Sequence, residues 1–519
     1  MKKFNKKSHK NINHKKSHKK LRTRKSKPRS KPRSKPRSKR RSKRRSKRRS
    51  KRRSKRRSKR KPKKITRPKV NRRKYGINND SKKLLTNMLQ NPDLKMIRNA
   101  FVKNQEIQKY NNNFSKIINY PLPDQTDQKD TGRCWIFAFL NTLRPQFIKK
   151  HDLPSEFEFS TNYLYFYHKL ERAFYFLDVI KKYFQENSNQ TYYEDQLYQY
   201  LLLDPISDGG RSNMLLKLIT TYGIVPETTY RNTIRSNKTY QFDNILKQNL
   251  ISYSEIIREN PNQDIQQYKD NIREFLEIFL GIPPDPNTPF TYTYHKTKDK
   301  TKQNLQHINK TPKEFLDFVG FKPSEYITCV NYPSLPFNKF YNIQYCENDP
   351  EYPTKCLNLQ IEKLINAVKR SIDANEPVWF ACDISMYHYK PEGILDHEIF
   401  DMQSISQFDQ DIKKFQTEKE YRNFKEKLNR NKLSQPNHAM TFIGYDMNSK
   451  GQITKFKVEN SWGEDKKQEN KGYLTMSMKW FKLFVFEIFV KQKFLNNLHI
   501  NEEYIPVKPW GLMACSFMK

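Results

Sequence analysis

The sequence predicts an α+β protein, and three observations carry that prediction. Residues 81–229 place apolar side chains at helical spacing, the stretch from about Tyr230 to Lys313 is polar and helical, and from Tyr326 the chain breaks into short β-rich runs. Ahead of these stands a head of one sign: residues 1–74 hold 43 Lys or Arg and no Asp or Glu. The whole 519-residue chain has a net charge of +48, so the head supplies +43 of it and everything else only +5. The expected division is a basic low-complexity head at 1–74, a helical lobe at 75–229, a helical insertion at 230–313, a β lobe at 314–500 and a tail at 501–519.

From Ser26 the head repeats SKPR three times and SKRR five times, and closes with SKRK at Lys61. Like charges at this density repel one another and no apolar side chain offsets the ordering entropy, so the head is expected to be disordered when alone. Neutralising phosphates releases counterions, which makes DNA or RNA its expected partner. A nuclear address and attraction to an anionic membrane are the rival readings. No aromatic residue interrupts the repeat, so contact would be to the sugar–phosphate backbone. The nine repeat serines are candidate phosphorylation sites.

Six cysteines without a C-x-x-C pair or zinc-type spacing read as reduced thiols. The N-terminus is too charged for a signal-peptide core, and no run of ~18 apolar residues is long enough for a transmembrane segment. The expected location is intracellular, cytoplasmic or nuclear, with packaging in a virus particle as a further home for such a head.

The chemistry starts at QKDTGRCWIFAFLNTLRP, Gln128 to Pro145. Gly132 gives a turn, Cys134 follows, and Trp135 to Leu143 is apolar on nearly every side, as in a buried helix. In the first turn the positive end of the helix dipole favours a thiolate. Taken alone, Cys134 reads more readily as one more small buried residue, and it needs partners to be a nucleophile. Between Phe157 and Tyr200, Phe, Tyr and Leu at three-to-four spacing read as packed helices. In SDGGRSNMLLKLITTYG, the pair Gly209 and Gly210 is either a helix-entry turn or a place where backbone approaches a ligand.

The strand half opens with ITCVNYP and PVWFACDI around a helix at IEKLINAVKRSI, and continues after a polar helical stretch with HAMTFIGYD and KFKVENSWGED. Phe456 and Val458 alternate with Lys455, Lys457 and Glu459, the pattern of a half-buried strand. His438 opens one strand and Asn460 ends the next. A turn at Asn448 to Gly451 would make the two antiparallel and bring both residues to one end. A thiol peptidase needs a nucleophile, a base, an orienter for that base and an oxyanion donor. Cys134, His438, Asn460 and Gln128 fit those roles in turn, and Trp462 could shield the His438–Asn460 contact from water.

With these motifs the sequence resembles the papain-like cysteine peptidases, through Q-x-x-x-x-x-C-W, H-A and N-S-W-G. More narrowly it resembles their bleomycin hydrolase and aminopeptidase C branch, through QKDTGRCWIFA, SDGGRSNMLLKLITTYGIVP, FLGIPPDPNTPFTYTY, HAMTFIGY and VENSWGED. The likeness runs from about Pro92 to Trp510 and leaves the head unmatched. It implies a two-lobed papain-like fold with a helical lobe and an antiparallel β lobe. It also implies a triad of Cys134, His438 and Asn460, an oxyanion hole served by Gln128, and a substrate cleft lined by Gly209 and Gly210. Peptide substrates, no metal or cofactor, and a homohexamer built through the 230–313 insertion follow from the same resemblance. In that branch the C-terminal tail lies in the cleft and its carboxylate holds the substrate amine. Here Gly511 and Leu512 stand where the branch has an acid and a proline, and Cys515, Ser516 and Phe517 replace small residues. An aminopeptidase is the expectation and an endopeptidase the alternative. An answer of another class is a nucleic-acid packaging protein whose peptidase body serves as scaffold.

Overall fold

Cys134–His151 is one helix of 18 residues, and Trp135, Ile136, Phe137, Ala138, Phe139 and Leu140 on it are all buried. The computed structural model describes residues 79–513 apart from 91–99, 121, 188–190, 297–304, 350–351, 413–414, 416, 467, 469 and 496–502. The basic head therefore lies outside the described residues. The Cys134 helix is apolar all round because it is clasped on both sides. The helix Thr161–Glu186 packs on one side, and the strands His438–Met447 and Val378–Cys382 pack on the other. Polar side chains from the sheet tie it down: Thr441 Oγ1 donates to the Ala138 carbonyl at 2.7 Å and Trp379 Nε1 to the Trp135 carbonyl at 3.0 Å. These bonds satisfy sheet donors that would otherwise be buried without partners.

Ser160 caps the Thr161–Glu186 helix by accepting from the Tyr163 N–H, and its own hydroxyl donates to the Tyr230 carbonyl. Against this helix lie Tyr240–Glu259 and Gln266–Leu280, whose Phe242, Leu246, Leu250, Ile272, Leu276 and Leu280 enter the same core as Trp135 and Tyr163. Each such side chain contributes about 1.5–3 kcal/mol when fully buried. The segment expected to be a helical insertion thus shares the core of the helical lobe. Its second part also differs from expectation. Phe290–His295 and Leu305–Lys310 form an antiparallel hairpin, not a helix. The prolines at 283, 284 and 286 end the helical run, and Thr–Tyr alternation then places Tyr292 and Tyr294 as a stacked pair on the strand.

The β half is a sheet of twelve strands among the described residues. From one edge its order is Tyr504–Val507, Lys339–Ile343, Lys355–Asn358, Tyr326–Val330, Val485–Lys491 and Val378–Cys382. It continues with His438–Met447, Ile453–Glu459, Leu474–Ser477, Ile394–Leu395 and His388–Tyr389, and Lys116–Ile117 joins beside His438–Met447. The expected antiparallel lobe holds at the centre, but three outer pairings are parallel, so the sheet is mixed. One case shows why. After Tyr326–Val330 the chain skips a position, reverses as Lys339–Ile343, and then fills the gap with Lys355–Asn358. The filling strand is antiparallel to one neighbour and so parallel to the other.

The sheet separates two cores. Trp379, Ala381 and Ala439 face the helical lobe, while Val378, Phe380, Met440 and Phe442 face the helices Ile361–Asp373 and Met478–Phe484. Both faces are covered, so Val378–Cys382 is apolar throughout. Among the described residues no helix is long and apolar enough to cross a membrane. Among the described residues Cys134, Cys329, Cys356 and Cys382 are thiols as expected, but Cys346 is in a disulfide. Cys346 is buried beside Met513, where the C-terminal segment packs into the sheet.

Candidate active site

The two halves of the molecule are joined by a short backbone ladder, and the candidate residues stand at its ends. The Gln128 N–H donates to the Ser461 carbonyl at 2.9 Å and the Gly463 N–H to the Thr126 carbonyl at 3.0 Å. The approach to the Cys134 helix is thereby fixed to the turn that follows Asn460. Lys129 takes a left-handed φ of 55°, and the Asp127 carboxylate accepts its N–H at 2.9 Å, which turns the chain toward Gly132.

His438 opens its strand opposite Cys382, and Asn460 follows the end of the antiparallel neighbour Ile453–Glu459. The expected turn joins them, with the Asn448 N–H donating to the Gln452 carbonyl and Gly451 at φ 74°. The two residues do come to one end: His438 Nε2 lies 2.8 Å from Asn460 Oδ1. Asn460 Oδ1 also accepts the Ser461 N–H at 2.9 Å, which holds the amide oxygen toward the ring. An acceptor at Nε2 requires the proton there and leaves Nδ1 as the basic nitrogen. Trp462 covers the pair, its ring 4.9 Å from the imidazole.

Cys134 and His438 line one cleft of about 1090 Å³, together with Gln128, Asp208, Asp243, Asp383 and Trp462. Gln128 Nε2 donates one hydrogen to the Thr131 carbonyl at 2.7 Å and carries a second. Gly209 and Gly210 stand just before the helix Ser212–Tyr222. Both are buried, and the cleft lining here is Ser207 and Asp208. A Cβ on Gly210 would stand 2.6 Å from the Trp135 indole, so the glycine is needed for close packing of that ring.

The electrostatics also depart from the simple helix-dipole argument. Burial pushes the Cys134 thiol up to about 12, against backbone hydrogen bonds from Ala439 and Trp135 that pull it down. Burial likewise pushes the His438 imidazole down to about 4, opposed by the bond to Asn460 and assisted by the charge of Lys390. Each group alone is therefore neutral at pH 7, and only a proton passed from one to the other gives two charges that stabilise each other. A depressed His438 stays unprotonated as pH falls through its usual 6.5. The acid limb of kcat/KM should therefore lie near pH 4, and a pH profile with a limb at 6.5 would contradict this environment.

Sequence reasoning missed the supports of these residues. Asp383 accepts from Asn437 Nδ2 at 2.8 Å and Ser434 Oγ at 2.7 Å, bracing the loop that enters the His438 strand. His388 lies 5.7 Å from Trp462 on the ring-to-ring measure, and Lys390 Nζ stands 5.1 Å over the same indole. None of these has a motif of its own. Among the described residues no group of His, Cys, Asp and Glu is arranged to hold a metal ion.

Residues 64–514 match the Peptidase C1-like family. The chain belongs to that family. As a Peptidase C1-like protein it is a cysteine-type peptidase, and its relatives carry the narrower resemblance read from the motifs. It is 32% identical over 445 residues to aminopeptidase C of Listeria monocytogenes, covering 82% of this chain and 95% of that one. To bleomycin hydrolase of Homo sapiens it is 33% identical over 402 residues, 74% of this chain and 82% of the other. The crystal structure of pepw from Lactobacillus rhamnosis superposes with a TM-score of 0.73 at 26% identity, covering 84% of this chain and 95% of that one.

Proposed function

We propose that this Peptidase C1-like chain is an aminopeptidase in which Cys134 attacks the peptide carbonyl, His438 takes and returns the proton, and Asn460 holds the imidazole. The observation that carries this reading is the 2.8 Å contact of His438 Nε2 with Asn460 in the same cleft as Cys134. The His438 imidazole accepts the thiol proton at Nδ1 as sulfur bonds to carbon. The carbonyl oxygen becomes an oxyanion near the Gln128 amide and the Cys134 N–H. Collapse expels the amine, which leaves with the proton from His438, and water then hydrolyses the thioester by the same route. Trp462 keeps water from the imidazole–amide bond. In this reading Gly210 acts through the packing of Trp135 behind the cleft, and Gly209 belongs to the same turn. Hydrolysis of amino-acid arylamides by the wild type and by Cys134→Ala tests the assignment.

The head at 1–74 is proposed to hold DNA or RNA by its phosphates, and the chain to assemble as a homohexamer. The exposed Ile234, Tyr240, Ile278 and Ile282, all in or beside the 240–280 helices, favour a subunit contact there. One sedimentation experiment addresses both. The full chain and a chain lacking 1–74 should run as the same oligomer, and only the full chain should move with duplex DNA. That shift should weaken by ~10³-fold or more between 50 and 200 mM salt. A monomer in both cases, or unaltered DNA binding without the head, contradicts the respective half of the reading.

A further inference from the structure

Asp208 touches the chain on both sides of Cys134. Its Oδ2 accepts the Gly132 N–H at 3.0 Å, two residues before the cysteine, and its main-chain carbonyl accepts the Trp135 indole N–H at 2.9 Å, one residue after it. The carboxylate is itself fixed from three directions. Tyr165 OH donates to Oδ1 at 2.7 Å, the Thr239 hydroxyl donates to Oδ2, and Lys169 Nζ pairs with Oδ1 at 2.8 Å. Lys169 is fully buried, donates also to the Ile206 carbonyl at 2.6 Å, and pairs with Asp243 at 2.6 Å.

We infer that Asp208 is a positioning residue for the nucleophile, setting the backbone from Gly132 to Trp135 and hence the place of Cys134 in the cleft. The inference rests on the reading of Cys134 as nucleophile. A buried ion cluster is a weak source of stability, because desolvation offsets most of its Coulomb attraction. What such a cluster does supply is direction, since charge-assisted hydrogen bonds are short and geometrically demanding. Here the anion is available to do so: although burial opposes its charge, Lys169 and the donated hydrogen bonds hold Asp208 far below the usual carboxylate range. Asp243 is pushed the other way, up to about 8, by burial and by the neighbouring charge of Asp208. Arg133 is also near, buried, with its guanidinium donating to Asn232 at 2.7 Å. The place of Gly210 follows as well, because the turn that carries the Asp208 carbonyl to the Trp135 indole leaves no room for a Cβ against that ring.

Asp208→Asn keeps the shape but removes the charge. A nucleophile displaced by a fraction of an ångström reacts more slowly without binding substrate less well. The expected result is a kcat for an amino-acid arylamide about 30-fold lower with KM within about 3-fold. An unchanged kcat in the folded variant, or a loss confined to KM or to melting temperature, overturns the inference. Should that variant fail to fold, Tyr165→Phe deletes one hydrogen bond to Oδ1 and is expected to lower kcat by about 3–10-fold at constant KM. An unchanged kcat there overturns it equally. Cys134→Ala separates the two levels. Hydrolysis that survives Cys134→Ala removes the reading of the nucleophile, whereas an inert Cys134→Ala beside an intact Asp208→Asn removes only the role of Asp208.

Discussion

Replacing Cys134 by Ala is expected to lower kcat/KM for amino-acid arylamides by about 10⁴-fold while leaving the fold intact. The magnitude follows from what remains. Without the thiol no thioester forms, and only binding and oxyanion donors act on a water attack. The fold should survive because the change removes one sulfur from a helix that Thr441, Trp379 and the surrounding apolar side chains continue to hold. Cys329, Cys356 and Cys382 serve as internal controls. All three are buried and, unlike Cys134, none lines the cleft, so substitution of any one should leave turnover within a few-fold. The measurement is steady-state hydrolysis with circular dichroism of each variant. Hydrolysis by Cys134→Ala within 10-fold of wild type would falsify the assignment.

Cys134, Gln128, His438 and Asn460 can be singled out as candidates in the sequence because each lies in a short run with a recognisable pattern. A strand alternation brackets Asn460, a turn links it to His438, and an apolar helix follows Cys134. The two elements that carry His438 and Asn460 are adjacent in the chain, so one hairpin argument suffices to bring them together. Asp208, Lys169 and Asp243 had no such aid. Their meeting depends on two packed helices and a loop that follows a third, and a lone acid before a glycine pair reads as a turn. Gly210 is a parallel case: a glycine says that something comes close, and only the packed structure says that the Trp135 ring does. The parallel pairings escaped notice because strand patterns report faces, not neighbours. The hairpin at Phe290–Lys310 was hidden by the polar residues that flank its alternation.

The second large effect concerns which end of a peptide the cleft accepts. A substrate with a free α-amine should be cleaved about 10- to 100-fold better than its N-acetylated counterpart. A charged hydrogen bond inside a cleft contributes about 1.5–3 kcal/mol, and acetylation removes it. The tail is positioned to matter. The Trp510 carbonyl accepts from Lys432 Nζ at 3.0 Å and the Trp510 ring lies 6.0 Å from Tyr200, while Lys432 and Tyr200 both line the cleft. Met513 is fully buried, so the segment up to it is anchored beside the cleft. If the residues after Met513 supply the group that meets the amine, removing 514–519 should bring the two substrates within about 3-fold of each other and let longer, N-blocked peptides be cut internally. If the acids of the cleft wall supply it instead, through Asp130, Asp204 or Asp243, the preference survives the truncation. Equal cleavage of free and acetylated substrates by the intact chain would reject the aminopeptidase reading and leave an endopeptidase built on the same triad.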